Sequence, residues 1–251
     1  MRAPLLAAAL LGATAAMAPA AAQSVSIDLG AAGGPGNTSR LVQLTALIGL
    51  LSLAPSLLVM ATAFARIVMV LSLLRSAIGA QGIPPNPVLV GLALFLSFFV
   101  MQPTLERSWA EGLEPMMAGR IGEVDGLKAA AEPFRAFMAA QAREADVALF
   151  QDLARQPSPE TLGGQPVSWR VLFPAFLVGE LKRAFEIGFL VFLPFLVIDM
   201  VVASLLMSLG MMMLPPNAVS LPMKLIFFVL VDGWRLASSG LVRGFADAAG
   251  G

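Results

Sequence analysis

The stretch "ELKRAFEIGFLVFLPFLVIDMVVASLLMSLGMMMLPPNAVSLPMKLIFFVLVDGW", residues 180–234, decides the fold of this chain. After a charged start it is almost entirely apolar, until "GMMMLPP", residues 210–216, sets three methionines and a leucine between a glycine and two prolines. Glycine is common just past helix ends, and proline cannot continue a helix. The stretch therefore predicts two apolar helices, near Val171–Leu209 and Val219–Phe245, folded back on each other about the turn Gly210–Pro222.

A second apolar stretch of the same kind lies upstream, from Leu41 to Met101, and it is interrupted at "GAQGIPPNP", Gly79–Pro87. Two hydrophobic segments joined by a tight turn rich in glycine and proline are typical of a helical hairpin. The sequence therefore predicts an all-α membrane protein with two long helical hairpins, in residues 41–103 and 169–251.

The composition agrees with a membrane protein. Hydrophobic residues make up 58% of the 251 residues and charged residues 13%, and the mean hydropathy is +0.83. Soluble domains average about half apolar and about a quarter charged. The 16 basic residues balance the 16 acidic ones, so no polycationic character indicates a nucleic-acid partner.

Several residue types that carry chemistry are missing, because the sequence has no Cys, no His and no Tyr. This excludes thiol nucleophiles, histidine bases, imidazole metal sites and disulfides. The glycine-rich "GAAGGPG", residues 30–36, has neither the spacing nor the lysine of a phosphate-binding loop. We expect no cofactor, no metal and no enzymatic activity, since an enzyme would have to use carboxylates, Ser or Lys.

The N-terminus has the three parts of a secretory signal peptide: Arg2, the apolar "PLLAAALLGATAAMA" and small residues at "PAAAQS". We expect residues 1–22 to be cleaved off, the alternative being an uncleaved anchor helix, and residues 23–40 to form a flexible linker. A mature N-terminus outside the cytoplasm places both Pro-rich turns in the cytoplasm. Arg75 and Lys224 flank those turns, in agreement with the positive-inside rule.

Residues 104–168, between the hairpins, carry ten acidic and six basic residues. They predict a small helical insert on the periplasmic side, where the N-terminus and the C-terminus also lie. The apolar residues of the insert are spaced as in an amphipathic helix, and we expect them to pack within the insert or on a neighbouring subunit rather than to hold a ligand. They are Phe134, Phe137, Met138, Leu149, Phe150 and Leu153.

Charged residues interrupt the apolar segments, and each would cost roughly 2.5 to 3.5 kcal/mol at the lipid-facing centre of a helix. Arg66 lies in the first segment, Asp199 in the third and Asp232 in the fourth. We expect Arg66 to pair with Asp199 or Asp232, within one chain or between subunits, because pairing offsets the cost of burying both charges. The alternative is that each charge lines a wet cavity.

The third segment begins with a cluster of charges. Glu180 can pair with Arg183 at i,i+3 spacing, and Lys182 can pair with Glu186 at i,i+4 spacing. We expect these four residues to form a solvated or inter-subunit helix face.

Two blocks of the sequence resemble the FliP family, the core membrane components of the flagellar type III protein export gate. One is the opening stretch, residues 180–234. The other is "LLVMATAFARIVMVLSLLRSAIGAQGIPPNPVLVGLALFLSFFVMQPTL", residues 57–105, which is similar to the family's first hairpin and its short turn. The related virulence-secretion proteins of the SctR type generally lack a cleaved signal sequence, so the predicted signal peptide favours the flagellar branch.

The resemblance implies an assembly. Copies of such a chain form a homo-oligomer, a pentamer, which joins FliQ and FliR in a helical funnel around an export channel, with FlhB as a further partner. Unfolded flagellar proteins are the exported substrates. The resemblance places this assembly in the flagellar basal body at the bacterial inner membrane, with much of it above the membrane plane, so that helices pack on neighbouring subunits instead of lipid.

The resemblance also suggests a role for the methionines. The residues alone leave open whether Met211, Met212 and Met213 merely pack in a loop. Methionine is unbranched and polarizable, so a ring of such side chains can close a pore and still deform around varied chains. The family's closed channel is similar in having a methionine gasket, which would place these three residues in the pore, with Gly210, Pro215 and Pro216 holding the loop.

Two other functions remain open from the residues alone. An intramembrane aspartyl protease would use Asp199 and Asp232 as two carboxylates that share a proton. An ion-coupled secondary transporter would use Pro-broken helices and intramembrane acids. The resemblance favours the export gate over both.

Overall fold

A computed structural model describes residues 59–80, 82–154, 167–211 and 213–249, together with the isolated positions 45, 48, 49, 52 and 56. The predicted signal peptide 1–22, the linker 23–40 and Met212 lie outside the described residues. The chain divides into two compact units, Met1–Ser52 and Leu53–Gly251, and every element below belongs to the second. The described part of this unit contains helices and no strand, which confirms the predicted all-α class.

The first hairpin consists of α1 (Phe64–Ile78) and α2 (Asn86–Ser108). Helix α1 ends because Gly79 adopts the left-handed conformation, with φ of 79°. One side chain closes the turn: Arg75 Nη1 donates to Asn86 Oδ1 at 2.6 Å and to the Pro84 carbonyl at 3.2 Å. The turn therefore lies where the sequence predicts it.

Helix α2 continues past the predicted end of the first hairpin at residue 103. Pro103 lies inside the helix, which leads through a π-helical turn, Trp109–Leu113, into the short α3 (Glu114–Met117). A proline removes one amide donor, and in an apolar helix neighbouring groups can compensate for that loss. The span-length helix is therefore Asn86–Met117, 32 residues long.

The insert folds as α4 (Glu123–Gln141) and α5 (Glu144–Leu153). The single amphipathic helix predicted here is wrong, because the chain turns to an extended conformation at Ala142, with ψ of 140°. Only the α4 half of the apolar stripe is in the core, where Met138 is fully buried and Phe134 and Phe137 pack on the hairpin helices. The α5 half is open, with Leu149 and Leu153 exposed.

The second hairpin begins with α6 (Trp169–Ser208), a 40-residue helix. Its return segment, predicted as one helix, is broken into α7 (Pro216–Leu230) and α8 (Gly233–Ala249). The break falls at Asp232, which has a φ of 51°, and the two helices meet at a 62° bend.

Two described helices are long and apolar enough to cross a membrane, Asn86–Met117 and Trp169–Ser208, and α7 with α8 makes a third if the bent pair is one span. The helices Asn86–Met117 and Trp169–Ser208 both carry large exposed apolar faces. The main core cluster joins α1, α2, α6 and α8, with α4 packed against it. At the α1–α6 contact a Cβ on Gly188 would lie 2.2 Å from Leu73 Cδ1, so a larger residue there would require the Leu73 side chain to shift.

Candidate gate loop and buried charge clusters

The methionine loop is fixed at both ends by backbone structure. After α6 ends at Ser208, the Gly210 amide donates to the Met207 carbonyl at 3.1 Å and the Met211 amide donates to the Leu206 carbonyl at 3.0 Å. This pair of bonds is a Schellman motif, and Gly210 supplies its left-handed residue with a φ of 72°. On the other side, Pro215 and Pro216 begin α7.

The two described methionines of the loop are exposed. Met213 is 98% exposed and Met211 is 44% exposed, while Met212 lies outside the described residues. Leu214 lies next to them, and its amide donates to the Met211 carbonyl at 3.2 Å. The arrangement combines an anchored backbone with unpacked thioether side chains.

Arg66 is buried in the helical core, and its partner is Glu180. The Arg66 Nε donates to Glu180 Oε2 at 2.7 Å, and Nη2 donates to Glu180 Oε1. Their side chains are 2% and 0% exposed. A bidentate pair of this kind is among the strongest hydrogen-bonded arrangements in proteins. The prediction that Asp199 or Asp232 neutralises Arg66 is therefore wrong within this chain.

Further groups complete the Arg66 cluster. Its Nη2 donates to Gln141 Oε1 at 3.0 Å and its Nη1 donates to the Gly244 carbonyl at 3.4 Å. The guanidinium carbon lies 3.7 Å from the centre of the Phe245 ring. The cluster thus joins α1, α4, α6 and α8 at one point.

Asp199 is paired with Lys224, and together they form a second charged cluster next to the turn of the first hairpin. Lys224 Nζ donates to Asp199 Oδ2 at 2.6 Å and to the Ala77 carbonyl at 3.2 Å. Asp199 Oδ1 is buried and has no hydrogen-bond partner among the described residues. Both side chains line a cavity of about 660 Å³ that also receives Arg75 and Asn86.

Asp232 lies at the surface of the chain, with its side chain 64% exposed, and its carboxylate is 3.9 Å from the Arg235 guanidinium. Its distinctive feature is the backbone conformation that separates α7 from α8. Asp199 and Asp232 therefore have separate basic partners, and the carboxylate pair of an aspartyl protease is not formed within the chain.

The helix-face pairs predicted on α6 are formed in part. Lys182 and Glu186 approach to 3.7 Å on an exposed face. Glu180 instead faces the core, and Arg183 Nη1 donates to Gln141 Oε1 at 2.8 Å. The prediction that Glu180 belongs to a solvated or inter-subunit face with Arg183 is wrong, because Glu180 continues the buried i,i+4 series that includes Leu172, Phe176 and Ala184.

That series is the signal that sequence reasoning missed, since spacing by four from apolar residues predicts burial. Gln141 carries the same signal, since it follows Phe137 by four positions. Among the described residues no group of three or more His, Cys, Asp and Glu side chains is placed to hold a metal ion.

Comparison with known proteins decides the family. The model of the FliP family matches residues 47–241. The chain belongs to the FliP family. The flagellar biosynthetic protein FliP of Caulobacter vibrioides is 55% identical over 239 residues, which cover 94% of this chain and 88% of the relative. The FliP protein of Bacillus subtilis is 48% identical over 219 residues, 87% of this chain and 98% of the relative.

A more distant relative, the FliP protein of Aquifex aeolicus, is 42% identical over 212 residues, 84% of this chain and 89% of that protein. The family identified from the two sequence blocks is thereby confirmed. As a FliP-family protein with membrane-length apolar helices, the chain is a membrane component of the flagellar export apparatus. The transporter alternative finds no support in these relatives.

Proposed function

We propose that this chain is a channel subunit of the flagellar type III export gate, which passes unfolded flagellar proteins across the bacterial inner membrane. Copies of the chain form a pentamer that joins FliQ, FliR and FlhB in a helical funnel. Met211, Met212 and Met213 of each copy close the channel. The proposed function involves no catalysis, no cofactor and no nucleic acid.

The observation that carries this proposal is the geometry of the methionine loop. Met213 is fully exposed on a backbone that Gly210 and Pro215 fix, so the chain itself does not use this side chain for packing. Thioether side chains adapt to irregular partners. A ring of them can therefore seal against each other at rest and against a passing polypeptide during export, while the anchored backbone keeps the ring in place.

The exposed apolar faces support assembly. On α2, Phe95, Phe98 and Phe99 are exposed, and on α6 Phe185 and Phe189 are exposed as well. Contiguous apolar patches of this kind mark surfaces that contact protein or lipid. Neighbouring copies and the partner proteins are the groups that cover these faces in the proposed funnel.

The tryptophans support an insert that lies outside the bilayer. Trp109 follows α2 and Trp169 begins α6, and both are exposed where the long apolar helices meet the insert. Tryptophan is enriched at membrane–water interfaces. We assign the insert, the N-terminus and the C-terminus to the periplasmic side and the two Pro-rich turns to the cytoplasmic side.

Cross-linking tests whether the loops of several copies meet. The natural sequence has no cysteine, so a Met213→Cys variant carries a single thiol. In membranes that contain the whole export apparatus, mild oxidation should link copies of the variant to each other, and a stalled export substrate with its own cysteine should form a mixed disulfide there.

The matched control is Met117→Cys, which also replaces an exposed methionine but lies in the insert; it should not link to the substrate. The proposal is contradicted if Met213→Cys complexes that export normally form neither linkage.

A further inference from the structure

The return segment of the second hairpin is bent, and the bend is built into its sequence. Asp232 holds a φ of 51° between α7 and α8, a conformation that non-glycine residues adopt rarely, although aspartate tolerates it better than most. The next residue is Gly233, where a Cβ would lie 2.0 Å from the Phe228 ring. A larger residue at this position would require the Phe228 ring to shift.

The same segment would be a membrane-length apolar helix if it were straight. Residues 216–230 and 233–246 are long and apolar enough to cross a membrane only when they are taken together. A straight helix would relieve the left-handed backbone conformation at Asp232. In the structure the segment is bent, so the interactions that hold α8 determine which arrangement it takes.

The contacts that hold α8 in the bent arrangement converge on its last turns. Arg66 Nη1 donates to the Gly244 carbonyl at 3.4 Å, and Gln141 Nε2 donates to the Phe245 carbonyl at 3.2 Å. The Phe245 ring lies against the Arg66 guanidinium. A cation near the C-terminal end of a helix also interacts favourably with the helix dipole.

Glu180 explains why Arg66 can serve this purpose. An unpaired guanidinium in the core would be strongly disfavoured, but the bidentate contact with Glu180 neutralises it and fixes its plane. Gln141 is fixed in turn, because its Oε1 accepts from both Arg66 and Arg183. The insert, the first hairpin and α6 therefore share one polar anchor point for α8.

We infer that Arg66, held by Glu180, is a positioning residue that docks the C-terminal helix α8, and that it selects the bent form of the return segment over a straight membrane-spanning one. Release of the anchor frees α8 to rotate about residues 231–233 while the core of α1, α4 and α6 stays packed. This role is independent of the methionine loop, which lies at the opposite end of α7.

Cysteine accessibility in the full-length protein, in native membranes, tests the inference. Leu241→Cys places a thiol on the buried face of α8, and Leu172→Cys places a matched thiol on α6, in a core cluster to which α8 contributes no residue; both leucines are at most 2% exposed. Each is combined with Arg66→Met, with Arg66→Met/Glu180→Met, and with Arg75→Met as the control for loss of an arginine from α1. The rate of maleimide labelling is measured.

We expect the Leu241→Cys thiol to be labelled about tenfold faster or more in both Arg66 backgrounds, the factor that corresponds to losing one hydrogen bond to a charged group. In the double variant the Leu172→Cys thiol should stay as protected as in the parent, because the apolar pair leaves no buried charge unpaired. Arg75→Met should change neither rate.

Two results would overturn the inference. The first is a Leu241→Cys thiol that stays protected in both Arg66 backgrounds. The second is equal labelling of the two thiols in the double variant, which would mean that the ion pair maintains the whole core rather than the position of α8.

Discussion

Replacement of Arg66 by alanine should have a large effect on stability. The change removes the basic side chain that is ion-paired with the fully buried Glu180 carboxylate together with the hydrogen bonds to Gln141 and Gly244. Breaking a buried pair by removing one partner costs about 3 to 5 kcal/mol. This is a large part of the roughly 5 to 15 kcal/mol that stabilises a typical domain, so we expect little assembled complex.

The assay is the amount of complex that assembles in membranes, together with its thermal unfolding midpoint in mild detergent. Arg75→Ala is the matched control, since Arg75 lies on the same helix and its hydrogen bonds go to uncharged groups at a partly exposed turn. Arg75→Ala should lower the free energy of unfolding by about 1 kcal/mol. The double variant Arg66→Met/Glu180→Met should recover most of the lost stability, because it leaves no stranded charge. If Arg66→Ala behaves like Arg75→Ala, the reasoning about the buried pair is refuted.

Three further predictions follow from the same structure. Lys224→Met should lower the free energy of unfolding by about 1 to 3 kcal/mol, less than Arg66→Ala, because the Asp199 carboxylate lines a cavity that water can enter. Thermal unfolding of the two variants side by side checks this order. A loss for Lys224→Met that equals or exceeds the loss for Arg66→Ala would contradict it. Gly233→Ala should destabilise the chain by about 1 to 3 kcal/mol through overpacking on the Phe228 ring, whereas Gly240→Ala, with open space around its Cβ position, should be nearly neutral in the same assay. Purification in mild detergent should yield a complex whose mass accounts for several copies of this chain with FliQ and FliR, and a monomer that nevertheless supports export would argue against the funnel.

The hairpins could be predicted because glycine and proline residues at the turns determine where the helices end and begin. Gly79 and Gly210 take the left-handed conformation that ends a helix, and the prolines that follow each turn begin the next helix. Helix α2 was predicted too short because proline is a local signal, and its effect is weaker in a helix that is stabilised by its neighbours. The Asp-Gly pair at residues 232–233 is a turn signal that could have located the break between α7 and α8.

The charge pairing could not be predicted in the same way. Which acid faces Arg66 depends on the rotation of α6 about its axis and on its register against α1, and both are set by tertiary packing such as the close contact at Gly188. Spacing alone makes Asp199, Asp232 and Glu180 equivalent candidates. The buried i,i+4 series through Phe176 and Ala184 indicates that Glu180 faces the core, but it does not show which basic side chain Glu180 meets.

The most direct test of the proposed gate is the conductance of the reconstituted complex in planar bilayers. In the variant Met211→Ala/Met212→Ala/Met213→Ala the side chains proposed to fill the channel are shortened, while Gly210 and Pro215 keep the loop anchored, so the complex should assemble and leak ions at rest. The control replaces three other exposed methionines, Met200, Met207 and Met223, and should stay closed. A loop variant as tight as the parent, or a control that leaks as much as the loop variant, would contradict the assignment of these methionines to the gate.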